Sequence, residues 1–256
     1  MRKYRILFML IALLFVLTAA AYSAENGTGN FTGGSFMLDR VYEDASAEAP
    51  YVLDPESSAS LYSEKANVYI FAPDGTAEML LREAGEIYRE ELTWDQEDGV
   101  ITVRTDGNVE MELSFDPESS ELHRYWKIDA PEAMYHDLDF TYVRIPLGDW
   151  QMDHVISSEP GQDPVRLDPE TAGSLYAESS NVYSLQPFGA VKTSYPEDYT
   201  EEGTWELTED GLVITFESGE KMELVYDASE DMIHRYWKED DPAASYHDLD
   251  FVYLHK

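Results

Sequence analysis

The chain has 256 residues, with 52 acidic against 17 basic side chains, a net charge of −35 and 43% hydrophobic residues. So negative a surface repels phosphate backbones and anionic bilayers, which excludes nucleic acid and anionic membrane surfaces as partners. The apolar content is enough for real cores, and the absence of cysteine rules out disulfides, thiolate metal sites, thiol nucleophiles and a lipid-bearing cysteine.

Residues 1–24 read as a signal peptide. Arg2, Lys3 and Arg5 form its positive head, Ile6 to Ala21 its apolar run, and Ala21 and Ser23 the small residues before cleavage. The run is shorter than a membrane span requires, so the chain is expected to be secreted or extracytoplasmic. If uncleaved, the segment would instead act as an N-terminal membrane anchor. Residues 25–35 are rich in Gly, Asn and Thr and read as a flexible linker. The sequons at Asn26 and Asn30 matter only in a host that glycosylates them.

The chain then repeats itself. Repeat 1 covers residues 36–145, a short connection 146–149, and repeat 2 residues 150–256. Leu53-Asp54-Pro55-Glu56 recurs as Leu167-Asp168-Pro169-Glu170, and Asn67-Val68-Tyr69 as Asn181-Val182-Tyr183. From His123 to Ile145, 15 of 23 positions are identical to their counterparts, far beyond chance. In repeat 2, short runs of alternating or β-branched residues predict strands at 150–156, 181–185, 191–195, 204–207, 212–216, 221–226, 232–238 and 251–255. Asp98-Gly99, Asp106-Gly107, Asp210-Gly211 and Ser218-Gly219 supply hairpin turns between such runs. Thr76 to Leu92 has helical propensity, but its twin, Ala190 to Gly203, contains Pro196 and β-branched residues. One fold must accommodate both, so this region is expected to be a strand followed by a loop. Only the stretch after Asp54-Pro55 and Asp168-Pro169 looks helical, with Asp as N-cap and Pro at the first position. The expected fold is all-β: two tandem antiparallel β-barrels of about eight short strands each, with one short helix per copy.

This pattern resembles bacterial lipocalin-like (calycin) domains. Gly148-Asp149-Trp150 looks like the Gly-x-Trp that opens the family's first strand, and Tyr142-Val143-Arg144 like its Tyr-x-Arg ending. The resemblance implies that Trp150 packs under a late cation and closes one end of the barrel. Repeat 1 departs with Gly34-Ser35-Phe36, and repeat 2 has His255 in place of Arg144.

Two constellations could carry chemistry. In His123-Arg124-Tyr125-Trp126-Lys127 and its copy His234-Arg235-Tyr236-Trp237-Lys238, alternation separates His, Tyr and Lys from Arg and Trp. His123, Tyr125, Trp126, His234, Tyr236 and Trp237 are candidate ligand contacts if they face a cavity. Otherwise Arg124 and Arg235, beside the tryptophans, have a structural role in closing the core. His136-Asp137 and His247-Asp248 are candidate metal ligands, or else turn residues with an exposed imidazole. A carboxylate beside an imidazole could also make a pH-sensitive ion pair. Nucleophile-elbow, zincin, phosphate-loop and calcium-loop patterns are absent from the sequence. The expectation is therefore a secreted binding module without cofactor or catalysis, taking a small apolar or aromatic ligand or a protein partner. The alternatives are a structural or interaction protein with filled barrels, and a metal-dependent enzyme using the His/Asp clusters.

Overall fold

The computed structural model describes residues 30–43, 50–106, 108–127, 133–159, 161–208, 210–238 and 245–256, so the segment expected to direct export lies outside the described residues. The chain divides into two compact units between Ile145 and Pro146. The first contains β1 (Gly34–Glu43), β2 (Tyr51–Val52), β3 (Asn67–Phe71), β4 (Thr76–Glu83), β5 (Glu86–Glu97), β6 (Val100–Thr105), β7 (Asn108–Asp116), β8 (Glu121–Trp126) and β9 (Leu138–Arg144). The second contains β10 (Gly148–Ser157), β11 (Val165–Arg166), β12 (Val182–Leu185), β13 (Ala190–Ser194), β14 (Thr200–Thr208), β15 (Gly211–Phe216), β16 (Lys221–Asp227), β17 (Met232–Lys238) and β18 (Asp248–His255). In each unit eight antiparallel strands close into a barrel, because the first strand pairs with both the third and the last. The two-residue β2 and β11 lean on the ends of β1 and β10.

Local chemistry explains the closure. A bulge between Leu38 and Arg40, repeated between Met152 and His154, inserts one acidic residue and resets the alternation. Leu38 and Val41 thereby both turn inward and are fully buried, while Arg40 lies beside Thr141 on the outer face. Barrel 1 is filled from inside by Phe36, Leu38, Phe71, Ile101, Leu122 and Phe140, among others. Phe31, within the Gly-rich stretch before β1, plugs one end and packs edge-on against Phe71 and Trp94 at 5.4 and 5.0 Å.

Two expectations need correction. Thr76 to Leu92 is strand, two-residue turn and strand rather than strand and loop. Ala84 and Gly85 both take positive φ, 51° and 87°, which matches the twist of a tight hairpin, and cross-strand pairing overrides the helical propensity of its Glu, Leu and Arg. No α-helix follows Asp54-Pro55 or Asp168-Pro169 among the described residues. The Asp54 carboxylate accepts the Glu56 N–H and its carbonyl the Ser58 N–H, which makes a single turn. After it the chain makes only a four-residue 3₁₀ turn, Ser63–Ala66, and the second unit makes its own, Gly173–Tyr176, four residues earlier in the alignment. Tyr62 explains why helix does not continue: its hydroxyl accepts the Val41 N–H and donates to the Leu53 carbonyl, pinning the segment across the barrel end. Tyr176 repeats this with Val155 and Leu167. Among the described residues no helix is long and apolar enough to cross a membrane.

Candidate functional site

Strand β8 places Leu122, Arg124 and Trp126 on the inner face and His123 and Tyr125 on the outer face, because side chains alternate. Arg124 lies 4.4 Å over the ring of its cross-strand neighbour Phe140 and donates twice to Glu64, at 3.0 and 3.1 Å. The second Glu64 oxygen accepts the Tyr142 hydroxyl at 2.8 Å and the Tyr69 hydroxyl at 3.4 Å. Burial, reinforced by Glu64, pushes the Tyr142 phenol well above its ordinary range. Trp126 stacks on Phe140 at 6.2 Å, so Phe140, not the indole, is the platform for the guanidinium. This is a hydrogen-bonded brace that ties the Ser63–Ala66 turn into the barrel mouth.

Barrel 2 repeats the brace in thinner form. Arg235 sits 4.6 Å over Phe251 and donates to Glu178 at 2.8 Å. Tyr183 and Tyr253 keep the edge-to-face contact of Tyr69 and Tyr142, at 5.8 Å in both barrels. The Tyr253 hydroxyl and the Thr193 hydroxyl, however, are buried with no hydrogen-bond partner among the described residues. Trp237 is 43% exposed and Tyr236 64%. Trp150, Tyr183, Leu185, Ile214, Met222, Leu224, Ile233 and Tyr253 line a residual cavity of about 10 Å³ inside this barrel, room for about one water.

Trp150 is 1% exposed, packs against His255 with centroids 3.9 Å apart and the rings tilted by 35°, and donates its indole N–H to the Pro146 carbonyl at 2.9 Å. Gly148 permits this: its φ is +125°, and a Cβ there would meet the His255 ring at 2.9 Å. Gly34, at φ +134°, gives Arg144 the same passage, and Arg144 is the register partner of Phe36 as His255 is of Trp150.

On the outer face His123 contacts Asp139 at 2.9 Å and stacks on Tyr125 at 5.9 Å and 9°. His234, Asp250 and Tyr236 reproduce this at 2.9 Å, 5.9 Å and 8°. Burial alone would push the His123 imidazole down, but the Asp139 hydrogen bond and charge, with Glu121 and Asp116, leave it raised. In barrel 1 this patch also holds three buried polar atoms without a hydrogen-bond partner among the described residues: Arg40 Nε, Asp139 Oδ1 and the Thr141 hydroxyl.

The other histidines take separate partners. The His136 N–H points to Glu43 at 3.4 Å, and Asp137 sits in a left-handed turn at φ 47°. His247 holds Glu159 through its N–H at 3.1 Å and its ring Nδ1 at 2.8 Å, and this hydrogen bond lowers the Glu159 carboxyl. Asp248 pairs across the sheet with Lys238. Among the described residues no group of three or more His, Asp or Glu side chains is placed to hold a metal ion. Sequence reasoning missed Glu64, Tyr62, Tyr69 and Tyr142 and their twins Glu178, Tyr176, Tyr183 and Tyr253. Each pair is identical between the repeats, so the alignment carried a signal that residue chemistry alone did not.

No protein-family model and no curated protein matches the chain. Among solved structures the chain is similar to the crystal structure of a porin-like protein from Bacteroides uniformis ATCC 8492. The two are 8% identical, with 89% of this chain and 98% of that chain covered, at a TM-score of 0.17.

Proposed function

We propose that the chain is an exported interaction protein whose two lipocalin-like barrels are filled and serve as scaffolds, with recognition on their outer surfaces by a basic protein or peptide. The observation that carries this reading is the barrel interior. Pockets for small ligands occupy roughly 300–1,000 Å³, whereas the cavity inside barrel 2 is about 10 Å³. Barrel 1 is occupied by its own aromatic core, with Phe31 inserted at one end and the Glu64–Arg124 brace at the other. The lipocalin-like reading draws support from the closed eight-strand order and from Trp150 packed beneath His255 at the barrel end. Charge selects the partner, because a net −35 favours fast, salt-sensitive encounter with basic surfaces.

The test is a pair of titrations on the full chain. A neutral apolar fluorophore, N-phenyl-1-naphthylamine, is expected to show no saturable binding. A lysine-rich peptide is expected to bind with an affinity that falls steeply with salt. Saturable fluorophore uptake that competes with no peptide would restore the container reading.

A further inference from the structure

The longest hairpin of barrel 1 leaves one strand edge open. β5 pairs with β4 from Glu86 to Thr93 but with β6 only from Thr93 onward, since β6 ends at Thr105 and turns into β7. No other backbone hydrogen bond among the described residues reaches 86–92. The two-residue turn at Ala84-Gly85 makes Glu83 and Glu86 the closing hydrogen-bonded pair, so Glu86, Tyr88, Glu90 and Leu92 bond to β4. Ile87, Arg89 and Glu91 therefore point their N–H and C=O groups away from β4, on the side where β6 ends and the Thr105 hydroxyl reaches the Glu90 carboxylate at 3.4 Å. The same count, run back from the Asp98-Gly99 turn, makes Glu97, Asp95 and Thr93 bond to β6, which agrees. Residues 86–91 are all exposed, and Ile87 and Tyr88 are 51% and 49% accessible. Among the described residues barrel 2 has no counterpart of this length: β14 pairs with β15 from Gly203, and the Glu217 N–H already bonds the Glu202 carbonyl.

We infer that the open edge of β5 is a docking strand, to which an extended basic segment of a partner protein adds as a further antiparallel strand. This rests on the interaction reading above and gives it a site. Charge decides the occupant. Glu83, Glu86, Glu90 and Glu91 outnumber Arg82 and Arg89 at this end of the hairpin, and Arg89 is already held by Glu78 at 3.1 Å. Glu110 on β7 is raised by burial and by the charge of Glu90. A second copy of this chain would bring the same carboxylates against their equals, which is how natural edges resist self-pairing. A partner strand running antiparallel places basic residues beside Glu91 and Glu90 and apolar residues beside Tyr88 and Ile87.

The probe is acetyl-Thr-Lys-Lys-Thr-Val-Val-Thr-amide, labelled for fluorescence anisotropy and titrated into the full chain. Ile87→Pro removes an outward N–H without breaking a ladder bond, and Glu90→Lys with Glu91→Lys reverses the local charge while leaving the backbone alone. Each is expected to weaken binding about tenfold or more, whereas Glu230→Lys, an exposed acid on the other barrel, stays within about twofold. Replacing the probe's two lysines by glutamate should abolish binding. Equal binding to wild type and both β5 variants would overturn the docking strand yet keep the basic-partner reading. Failure of the probe and of lysine-rich peptides alike to bind wild type would overturn both.

Discussion

Barrels 1 and 2 share strand order, bulge position, the Tyr62/Tyr176 pin and the Arg–Glu brace, yet they differ in how fully their buried polar groups are satisfied. In barrel 1, Glu64 gathers Arg124, Tyr142 and Tyr69; in barrel 2, Glu178 accepts from Arg235 while the Tyr253 hydroxyl stays unpaired among the described residues. On the outer face the contrast reverses. Barrel 1 carries Thr141, whose hydroxyl has no hydrogen-bond partner among the described residues, where barrel 2 has Val252. A buried hydroxyl stabilises only where a partner is in reach, so the same side chain is an asset in one copy and a cost in the other.

Thermal unfolding read by segment-resolved hydrogen exchange separates the barrels and tests this contrast. Glu64→Ala should have the largest effect, about 2–3 kcal/mol on barrel 1, because it strands a guanidinium and two phenols. Glu178→Ala should cost barrel 2 about 1 kcal/mol, since its carboxylate is more exposed and holds one partner. Equal losses would break the contrast. Next, Tyr142→Phe should cost about 1 kcal/mol, whereas Tyr253→Phe should be neutral or stabilising.

A pH series probes the outer face. His123 is raised above the ordinary imidazole value of 6.5, so its contribution is fully present below that pH and is lost as pH rises through the higher folded value. Barrel 1 should therefore weaken between mildly acidic and mildly alkaline pH, and Asp139→Asn should flatten that slope. A pH profile unchanged by Asp139→Asn would remove His123 as the sensor. Smallest of all, Thr141→Val should raise barrel 1 stability by about 0.5 kcal/mol, importing the solution barrel 2 already uses.

Much of this fold is legible in the residues. Met232–Lys238 is a strand with the predicted bounds, and Asp98-Gly99 is the hairpin turn its sequence demands. Comparison of the repeats excluded a helix at Thr76–Leu92, although Ala84-Gly85 hid its turn because alanine is no usual carrier of positive φ. The helix expected after Pro55 failed because the cap residues were read without Tyr62, whose tertiary bonds redirect the chain nine residues after Leu53. The alternation of β8 correctly separated His123 from Arg124. It could not name Glu64, 60 residues away in sequence, because an acid among 52 has no distinguishing local pattern.

The pairing of Phe36 with Arg144, and of Trp150 with His255, joins the two extremes of each unit. A ring sealed by its last strand cannot be completed by local steps, so loop closure across the whole module sets the pace and each barrel should form on the slow side, in about milliseconds to seconds. Removing Val252–Lys256 would leave Trp150 without its lid and strip Trp150, Gln151, Met152 and His154 of their β18 partners, while the seam between β1 and β9 would still close.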